Sequence, residues 1–242
     1  MSRLGKLFGV GVGPGDPELI SLKAVKVLNS VSVIYCAYST KNSYSLAKEI
    51  VSSHLKGDVP LVRLNFPMTR DKKHLQEAWS RNAHQIYQTL KDGEDAAFVT
   101  LGDPMIYSTF AYIMRAIKEI SPETEIHIIP GISSFQAAAA ATGRVLAEAE
   151  ESFVVISGAM GAKKLGEVAG IADTVIMLKV YKQYKEILQS LQSLDLTKDS
   201  VLVTKCGLKG EKVISDLGDT NGTVPPYLSL LIIKKGHGES SG

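Results

Sequence analysis

Three turn-forming segments in the first half of the chain have residue types that suit the binding of a small polar ligand. They are GVGVGPGD over residues 9–16, LGDPMIYST over residues 101–109 and PGISSFQA over residues 130–137. Glycine lets a ligand or a second stretch of backbone approach closely. The aspartate and serine residues in these segments add polar side chains. The three segments are therefore the first candidates for chemistry.

The first segment fails the test for a dinucleotide site. The fingerprint GxGxxG requires its third glycine at residue 14 or residue 16, where the chain has Pro14 and Asp16. No GxxxxGKS or GxxxxGKT phosphate loop is present either. A nicotinamide-dependent dehydrogenase is thus disfavoured. What remains is a glycine-lined strand exit that either admits a ligand or is a simple tight turn.

The polar residues of the other two segments also have structural explanations. Ser108 and Ser133 each stand before a predicted helix and can accept hydrogen bonds from its first N–H groups. Asp103 follows a glycine and precedes a proline, a position in which aspartate often fixes a turn. The sequence leaves the functional and structural readings of these three residues open.

Alternating apolar runs and helical patterns predict a parallel sheet in the first half of the chain. Ligands bind such sheets outside the carboxyl ends of the strands, so all three turn segments are expected at one edge. The strands are predicted at Leu7–Val12, Val31–Tyr35, Pro60–Leu64, Ala96–Leu101 and Glu125–Ile129. The helices are predicted at Pro17–Asn29, Ser43–Leu55, Lys72–Lys91 and Ser108–Ile120, with Asp71 as an N-cap and Asp92-Gly93 as a stop signal.

The second half has its own set of strands after an alanine-rich helix at Ser133–Thr142. They are predicted at Phe153–Ser157, Thr174–Val180, Ser200–Thr204, Glu211–Asp216 and Tyr227–Lys234, the last two as neighbours in the sheet. We therefore predict two α/β domains, residues 1–129 and 130–242. The first has a parallel five-stranded sheet with helices on both faces, and the second has a mixed five-stranded sheet. The active-site cleft is expected between them.

Composition excludes several classes of protein. The 242 residues are 45% apolar and 21% charged, which is typical of a globular protein with an ordinary core. The net charge of +2 is too small to indicate nucleic-acid binding. No apolar run is long enough to span a membrane and no secretory signal is evident, so a cytoplasmic protein is expected. The two cysteines and five histidines have no metal-ligand spacing, so no protein-bound metal is expected.

Together, the GVGPGDPELISLKA, LGDPMIYSTF and PGISSFQAAAA segments resemble the tetrapyrrole (corrin/porphyrin) methyltransferase family in order and spacing. The resemblance covers essentially the whole chain. Within the family, the run from Phe66-Pro-Met through Ala78-Trp79 and Asn82 is most similar to enzymes that methylate C20 of precorrin-2 in cobalamin biosynthesis. The LGDPMIYSTF segment departs from the GGDP…FGRG pattern that is typical of uroporphyrinogen-III methylases.

The resemblance implies S-adenosyl-L-methionine as methyl donor, with S-adenosyl-L-homocysteine as product. It also implies a tetrapyrrole polycarboxylate as acceptor, either precorrin-2 or cobalt-factor II, and a homodimer. Any cobalt would then arrive inside the substrate. The residues that match the family's donor-binding positions are Pro14, Leu101, Gly102, Asp103, Ile106, Ser133, Ser134, Val180, Gly207 and Leu228.

Methyl transfer from a sulfonium needs alignment more than it needs side-chain chemistry. Asp103 is the first candidate for a catalytic or orienting role, and Tyr107 is the second. The substrate's carboxylates call for cations. The candidates are Arg63, Arg70, Lys72, Lys73, Arg81, Arg144 and Lys205. Two alternatives remain: a methylase of another acceptor on the same fold, such as another corrin position or a diphthine synthase-like reaction, and a non-catalytic small-molecule binding protein.

Overall fold

The computed structural model describes residues 3–38, 41–67, 69, 71–218 and 223–235, without the side chains of residues 41–45. Arg70, one of the candidate cations, lies outside the described residues. The chain divides into two compact units, Met1–Ser133 and Ser134–Gly242. Each unit is described separately below. No helix in the described ranges is long and apolar enough to cross a membrane.

The first unit is built on a parallel sheet of five strands in the order β3-β2-β4-β1-β5. The strands are β1 (Leu7–Gly11), β2 (Val33–Tyr38), β3 (Leu61–Asn65), β4 (Ala96–Thr100) and β5 (Ile126–Ile129). The helices are α1 (Leu22–Leu28), α2 (Lys41–Ser52), α3 (Lys72–Lys91) and α4 (Phe110–Ile120). This architecture confirms the predicted fold class of the first half.

Two apolar clusters cover the two faces of this sheet. One joins strand residues such as Ile34 to Leu28 of α1 and Ile50 of α2. The other joins strand residues such as Phe98 to Ile86 of α3 and Ile113 of α4. Burying both faces explains why the strands are continuous apolar runs rather than alternating ones.

Helix α3 begins and ends where its sequence signals predict. The Asp71 carboxylate accepts hydrogen bonds from the backbone N–H groups of Lys73 and His74 at 2.9 and 3.3 Å. Gly93, with φ of 85°, follows the last turn in a left-handed conformation that favours glycine. Ile86 and Leu90 of α3 are fully buried, so the apolar residues in the second half of this helix pack into the core.

The predicted helix Pro17–Asn29 is wrong as a single element. The chain forms a short 3-10 turn at Pro17–Leu19 and then starts α1 at Leu22. Ser21 caps the new helix by accepting a hydrogen bond from Ala24 N–H at 3.1 Å. The extended backbone at Ile20 and Ser21 separates the two elements, because a cap residue adopts a non-helical conformation.

The second unit has a mixed sheet of five strands in the order β6-β7-β10-β8-β9. The strands are β6 (Phe153–Ser157), β7 (Thr174–Leu178), β8 (Ser200–Thr204), β9 (Lys212–Ile214) and β10 (Ser229–Lys234). The helices are α5 (Ser134–Thr142), α6 (Lys163–Val168) and α7 (Tyr184–Ser193). Five strands in a mixed sheet confirm the prediction for the second half.

The expectation that the last two strands are neighbours is wrong. Strand β10 lies antiparallel between β7 and β8, and β9 pairs with the other side of β8. Burial explains the order. Five of the six residues of β10 are buried, whereas all three residues of β9 are partly or fully exposed. The longer, more apolar strand lies at the centre of the sheet, and the short, exposed strand lies at the edge.

A mostly buried ion pair fastens the segment between α5 and β6. The ammonium of Lys234 lies 2.8 Å from the Glu151 carboxylate and donates to the Val145 carbonyl at 3.1 Å. Arg144 donates to the Asp199 carbonyl at 2.6 Å. Arg144 is thus committed to a backbone contact inside this unit, which weakens it as a candidate for substrate carboxylates.

Both thiols are expected to be inert in the folded protein. Burial raises the pKa of the Cys36 thiol to about 12. Burial, with the Glu211 carboxylate nearby, raises the pKa of Cys206 to about 11. Because only the thiolate reacts, labelling by a thiol reagent at pH 8 should be at least ~100-fold slower in native protein than in urea-unfolded protein. Fast stoichiometric labelling of native protein would contradict this, and a Cys206→Ser variant assigns the residual signal to Cys36.

Candidate active site

The exits of strands β1 and β4 are joined by backbone hydrogen bonds beyond the sheet itself. Val12 N–H donates to the Thr100 carbonyl at 3.0 Å, and Gly102 N–H donates to the Gly13 carbonyl at 2.7 Å. The second bond belongs to an isolated bridge between Gly13 and Gly102. The turn after β1 and the loop after β4 are therefore held side by side, as the shared sheet edge predicts.

Three glycines from three strand exits pack directly against one another. A Cβ atom added to Gly11 would lie 2.5 Å from the Gly102 carbonyl oxygen and 2.6 Å from the Gly131 nitrogen. A Cβ atom on Gly131 would collide with the same Gly102 oxygen. Only residues without side chains fit here, so the exits of β1, β4 and β5 form one close-packed backbone cluster, which we call the glycine junction.

Asp103 fastens this junction with both carboxylate oxygens. Its Oδ1 accepts a hydrogen bond from Met105 N–H at 2.8 Å, which closes the turn after the Gly-Asp-Pro sequence. Its Oδ2 accepts a hydrogen bond from Gly131 N–H at 3.0 Å, from the next strand exit. The Asp103 carboxylate thus fixes the loop after β4 to the loop after β5. This geometry favours a positioning role over direct proton transfer.

Ser108 also has a structural task. Its hydroxyl donates to Thr100 Oγ1 at 3.1 Å and accepts from Phe110 N–H at 3.1 Å, the first residue of α4. Ser108 therefore accepts from the first N–H of α4, as expected, but the residue in the N-cap position is Thr109, whose side chain makes no capping hydrogen bond.

Apolar side chains around the glycine junction remain exposed. Met105, Ile106 and Tyr107 follow Asp103 and are between 38% and 51% exposed, and Ile132 beyond Gly131 is 38% exposed. Tyr107 has φ of 49°, a left-handed conformation that is uncommon for an aromatic residue. Exposed apolar groups beside a backbone cluster suit a ligand that has both apolar and polar parts.

The remaining predicted donor-binding residues of the first unit lie on the same three exits. Pro14 is buried in the turn after β1, and Leu101 directly follows β4. Ser133 is 5% exposed and ends the segment after β5. The structure thus brings together the six predicted residues of this unit. Ser134 belongs to the second unit, as the first residue of α5.

The predicted residues of the second unit share one edge of its sheet. Val180 stands two residues after β7, Gly207 three residues after β8, and Leu228 directly before β10. The register pairs Leu178 with Leu230 and Thr204 with Ser229, so these positions lie at the same ends of the strands. Lys205 N–H donates to the Leu228 carbonyl at 2.7 Å, which ties two of the three segments together.

Three features of this second edge were missed by the sequence analysis. Lys179 and Lys205 are both in a left-handed conformation, with φ of 59° and 51°. Tyr181 and Tyr227 form an edge-on aromatic pair with ring centroids 5.2 Å apart. Burial raises the pKa of both tyrosines. The sequence does not indicate the left-handed conformations, because lysine seldom takes positive φ. It does not indicate the contact between the two tyrosines either, because they are 46 residues apart.

Metal binding has no structural support in the described ranges. Among those residues, no group of three or more His, Cys, Asp or Glu side chains is placed to hold a metal ion.

Comparison with known proteins identifies the family. Residues 6–220 match the model of the Tetrapyrrole (Corrin/Porphyrin) Methylases. The chain belongs to this family and is a methyltransferase. The resemblance noted from the glycine-rich segments is therefore confirmed.

Two curated relatives match over nearly their whole length. The probable cobalt-precorrin-2 C(20)-methyltransferase of Methanocaldococcus jannaschii is 36% identical over 95% of this chain and 96% of its own. The cobalt-precorrin-2 C(20)-methyltransferase of Salmonella typhimurium is 30% identical over 96% of this chain and 97% of its own. A solved structure of uroporphyrin-III C-methyl transferase from Thermus thermophilus, complexed with S-adenyl homocysteine, shares the fold. It is 16% identical, with a TM-score of 0.67 over 95% of this chain and 92% of that one.

Proposed function

We propose that this protein transfers a methyl group from S-adenosyl-L-methionine to C20 of precorrin-2 or cobalt-factor II in cobalamin biosynthesis. The observation that carries this proposal is the near full-length similarity to the two C(20)-methyltransferases, at 36% and 30% identity. The methyl donor is supported by the family and by the product-like ligand of the Thermus structure.

The glycine junction fits a donor of this kind. Its backbone is packed so closely that a Cβ atom on Gly11 or Gly131 has no room, and its borders carry exposed Met105 and Ile106. Such a surface offers peptide groups to the polar ends of an amino-acid moiety and apolar contact to its chain. When bound, S-adenosylmethionine supplies an electrophilic methyl group on a cationic sulfur.

The task of the chain's own residues is then alignment. Holding a nucleophile and an electrophile in line supplies up to about 7–11 kcal/mol of a reaction barrier in favourable systems. Asp103 and Gly131, linked at 3.0 Å, hold two of the three loops at fixed spacing. Tyr107 stands in the same loop with its side chain partly exposed, and we propose it as a contact for the acceptor.

A paired anaerobic assay tests the function. Purified protein is given S-adenosylmethionine with either precorrin-2 or cobalt-factor II, and products are read by mass spectrometry and by NMR with a ¹³C-labelled methyl donor. Gain of one methyl group at C20 is the expected result, and the faster acceptor identifies the metal state of the substrate. A methyl group at another carbon, or no transfer to either acceptor despite donor binding, would refute the assignment.

The family resemblance further leads us to propose a homodimer that works in the cytoplasm. Sedimentation equilibrium at micromolar protein concentration measures the oligomeric state directly. A mass equal to one 26.1 kDa chain would contradict the dimer.

A further inference from the structure

Five non-glycine residues in the described part of the chain have a clearly positive φ. They are Tyr107, Ala149, Lys179, Asp195 and Lys205. The left-handed region is unfavourable for residues with a Cβ atom, so each case requires a reason. Lys179 and Lys205 occupy equivalent positions, because each is the first residue after a strand of the second sheet.

The left-handed conformation of Asp195 is explained by its position at the end of a helix. Asp195 follows α7, where its N–H donates to the Gln192 carbonyl at 3.1 Å and Leu196 N–H donates to the Leu191 carbonyl at 2.8 Å. These bonds close a helix end, a position where a left-handed residue is common. Lys179 and Lys205 instead each reverse the chain directly after a strand: Lys179 precedes the 3-10 turn Val180–Gln183, and the Lys205 carbonyl accepts from Leu208 N–H at 2.9 Å. A glycine would serve this backbone geometry equally well, so the turns do not explain why lysine stands there.

The two lysines lie on the same edge of the sheet with one strand between them. Strand β10 separates β7 from β8, and neighbouring strands are about 4.8 Å apart, which places the two lysine backbones roughly 10 Å apart. The register puts Lys179 opposite Ser229 and Lys205 opposite Leu228 by extension of the observed pairs. The spacing suits two separate anionic groups on one molecule.

Positive charge accumulates at this edge. Lys182 stands near Lys179, and the pKa of Lys179 is lowered by burial and by repulsion from Lys182. The carboxylates of Glu186 and Glu211 accept backbone hydrogen bonds, from Ala162 N–H at 3.1 Å and from Gly207 N–H at 2.6 Å. Within the described ranges, no carboxylate lies at ion-pair distance from Lys182 or Lys205. A bound anion would relieve this repulsion.

The aromatic pair beside the lysines stays uncharged. Burial raises the pKa of the Tyr181 and Tyr227 phenols, so neither becomes an anion near neutral pH. The rings pack edge-on against each other, and the ammonium of Lys182 lies 5.8 Å from the centroid of the Tyr181 ring. A planar molecule with carboxylate arms has matching chemistry, because its ring system contacts aromatic surface while its arms reach ammonium groups.

We propose that Lys179 and Lys205 bind two carboxylates of the tetrapyrrole substrate. The inference rests on the proposed function for the identity of the acceptor. It explains why these two positions hold lysine and not glycine. Glycine would adopt the positive φ without steric cost, but it would remove the cation. The two residues determine acceptor binding and take no part in the methyl transfer itself.

The test uses glycine variants, which remove the cation and the backbone strain together. Lys179→Gly, Lys205→Gly and the double variant are compared with Lys205→Arg, which keeps the charge. Asp195→Gly is the matched control, because it also replaces a left-handed residue but at the end of α7. The probes are uroporphyrin, a fluorescent octacarboxylate, its octamethyl ester, and S-adenosylhomocysteine.

Each single glycine variant should bind uroporphyrin about 10-fold more weakly and the double variant about 100-fold more weakly, as expected for lost hydrogen bonds to charged groups. Affinity for S-adenosylhomocysteine should stay within twofold, and the thermal midpoint should stay level or rise by about 1–3 °C. Lys205→Arg should retain most of the affinity, and Asp195→Gly should retain all of it.

Unchanged uroporphyrin binding by the double variant would overturn the proposal. So would equal losses for uroporphyrin and its ester, because the ester has no carboxylates to recognise. A fall in S-adenosylhomocysteine affinity alone would assign the lysines to the donor instead. If wild-type protein binds uroporphyrin through these lysines but transfers no methyl group to C20, the carboxylate site stands and only the proposed position of methylation fails.

Discussion

Replacing Gly11 by alanine should abolish most of the methyltransferase activity. We expect kcat/KM to fall by at least ~100-fold, because displacing aligned groups by about 1 Å costs that much in comparable sites. The added Cβ atom would lie 2.5 Å from the Gly102 carbonyl oxygen and 2.6 Å from Gly131 N. Neither neighbour can rotate away, since both are backbone atoms. The three strand exits must separate instead.

The same substitution should also destabilise the fold. Overpacking typically costs about 1–3 kcal/mol, which corresponds to a decrease of roughly 5 °C in thermal midpoint for a chain of this size. The measurements are the steady-state rate with the acceptor, the affinity for S-adenosylhomocysteine by calorimetry, and the melting curve. Donor affinity is expected to fall together with activity, because the glycine junction is proposed to hold the donor.

Gly57→Ala is the matched control for this prediction. Gly57 lies in the same unit, has no left-handed φ, and an added Cβ atom would meet nothing within 4 Å. This variant should keep wild-type activity and stability. Full activity in Gly11→Ala would show that the junction can expand without affecting the donor, and the donor site would then have to be sought elsewhere.

The parallel arrangement of the first sheet could be predicted from the sequence with two simple rules. Continuous apolar runs alternating with helical patterns indicated a parallel sheet, and parallel strands expose their carboxyl ends at one edge. The convergence of the glycine-rich turns followed from these rules. The contact of Gly11 with Gly102 and Gly131 did not, because direct packing of three backbones depends on tertiary distances.

The second sheet was harder to predict because strand order depends on competition between strands. The pattern of the last two strands was identified correctly, but their adjacency was not. The short edge strand β9 contains Lys212 and is exposed, whereas β10 is buried between β7 and β8. A comparison of the apolar content of the two strands would have predicted β10 at the centre of the sheet and β9 at its edge. The left-handed backbones of Lys179 and Lys205 have no such signal, since each is imposed by the surrounding fold.

Asp103 either positions the loops of the glycine junction or transfers a proton, and two substitutions distinguish these roles. Asp103→Ala removes both acceptors, for Met105 N–H and for Gly131 N–H. Asp103→Asn keeps one carbonyl oxygen, which can still accept from Met105, but presents an amide N–H group toward Gly131. If Asp103 positions the loops, activity should fall by about 100-fold in the alanine variant and by about 10-fold in the asparagine variant.

The pH dependence then distinguishes positioning from proton transfer. A positioning carboxylate leaves the shape of the kcat against pH profile unchanged in Asp103→Asn, and only its height decreases. A general base would make asparagine as damaging as alanine and would remove the acidic limb of the profile, because the titrating group is gone. We expect the first outcome, since both oxygens already accept backbone N–H groups at 2.8 and 3.0 Å. Undiminished turnover in Asp103→Ala would exclude both roles and leave alignment to the glycine junction alone.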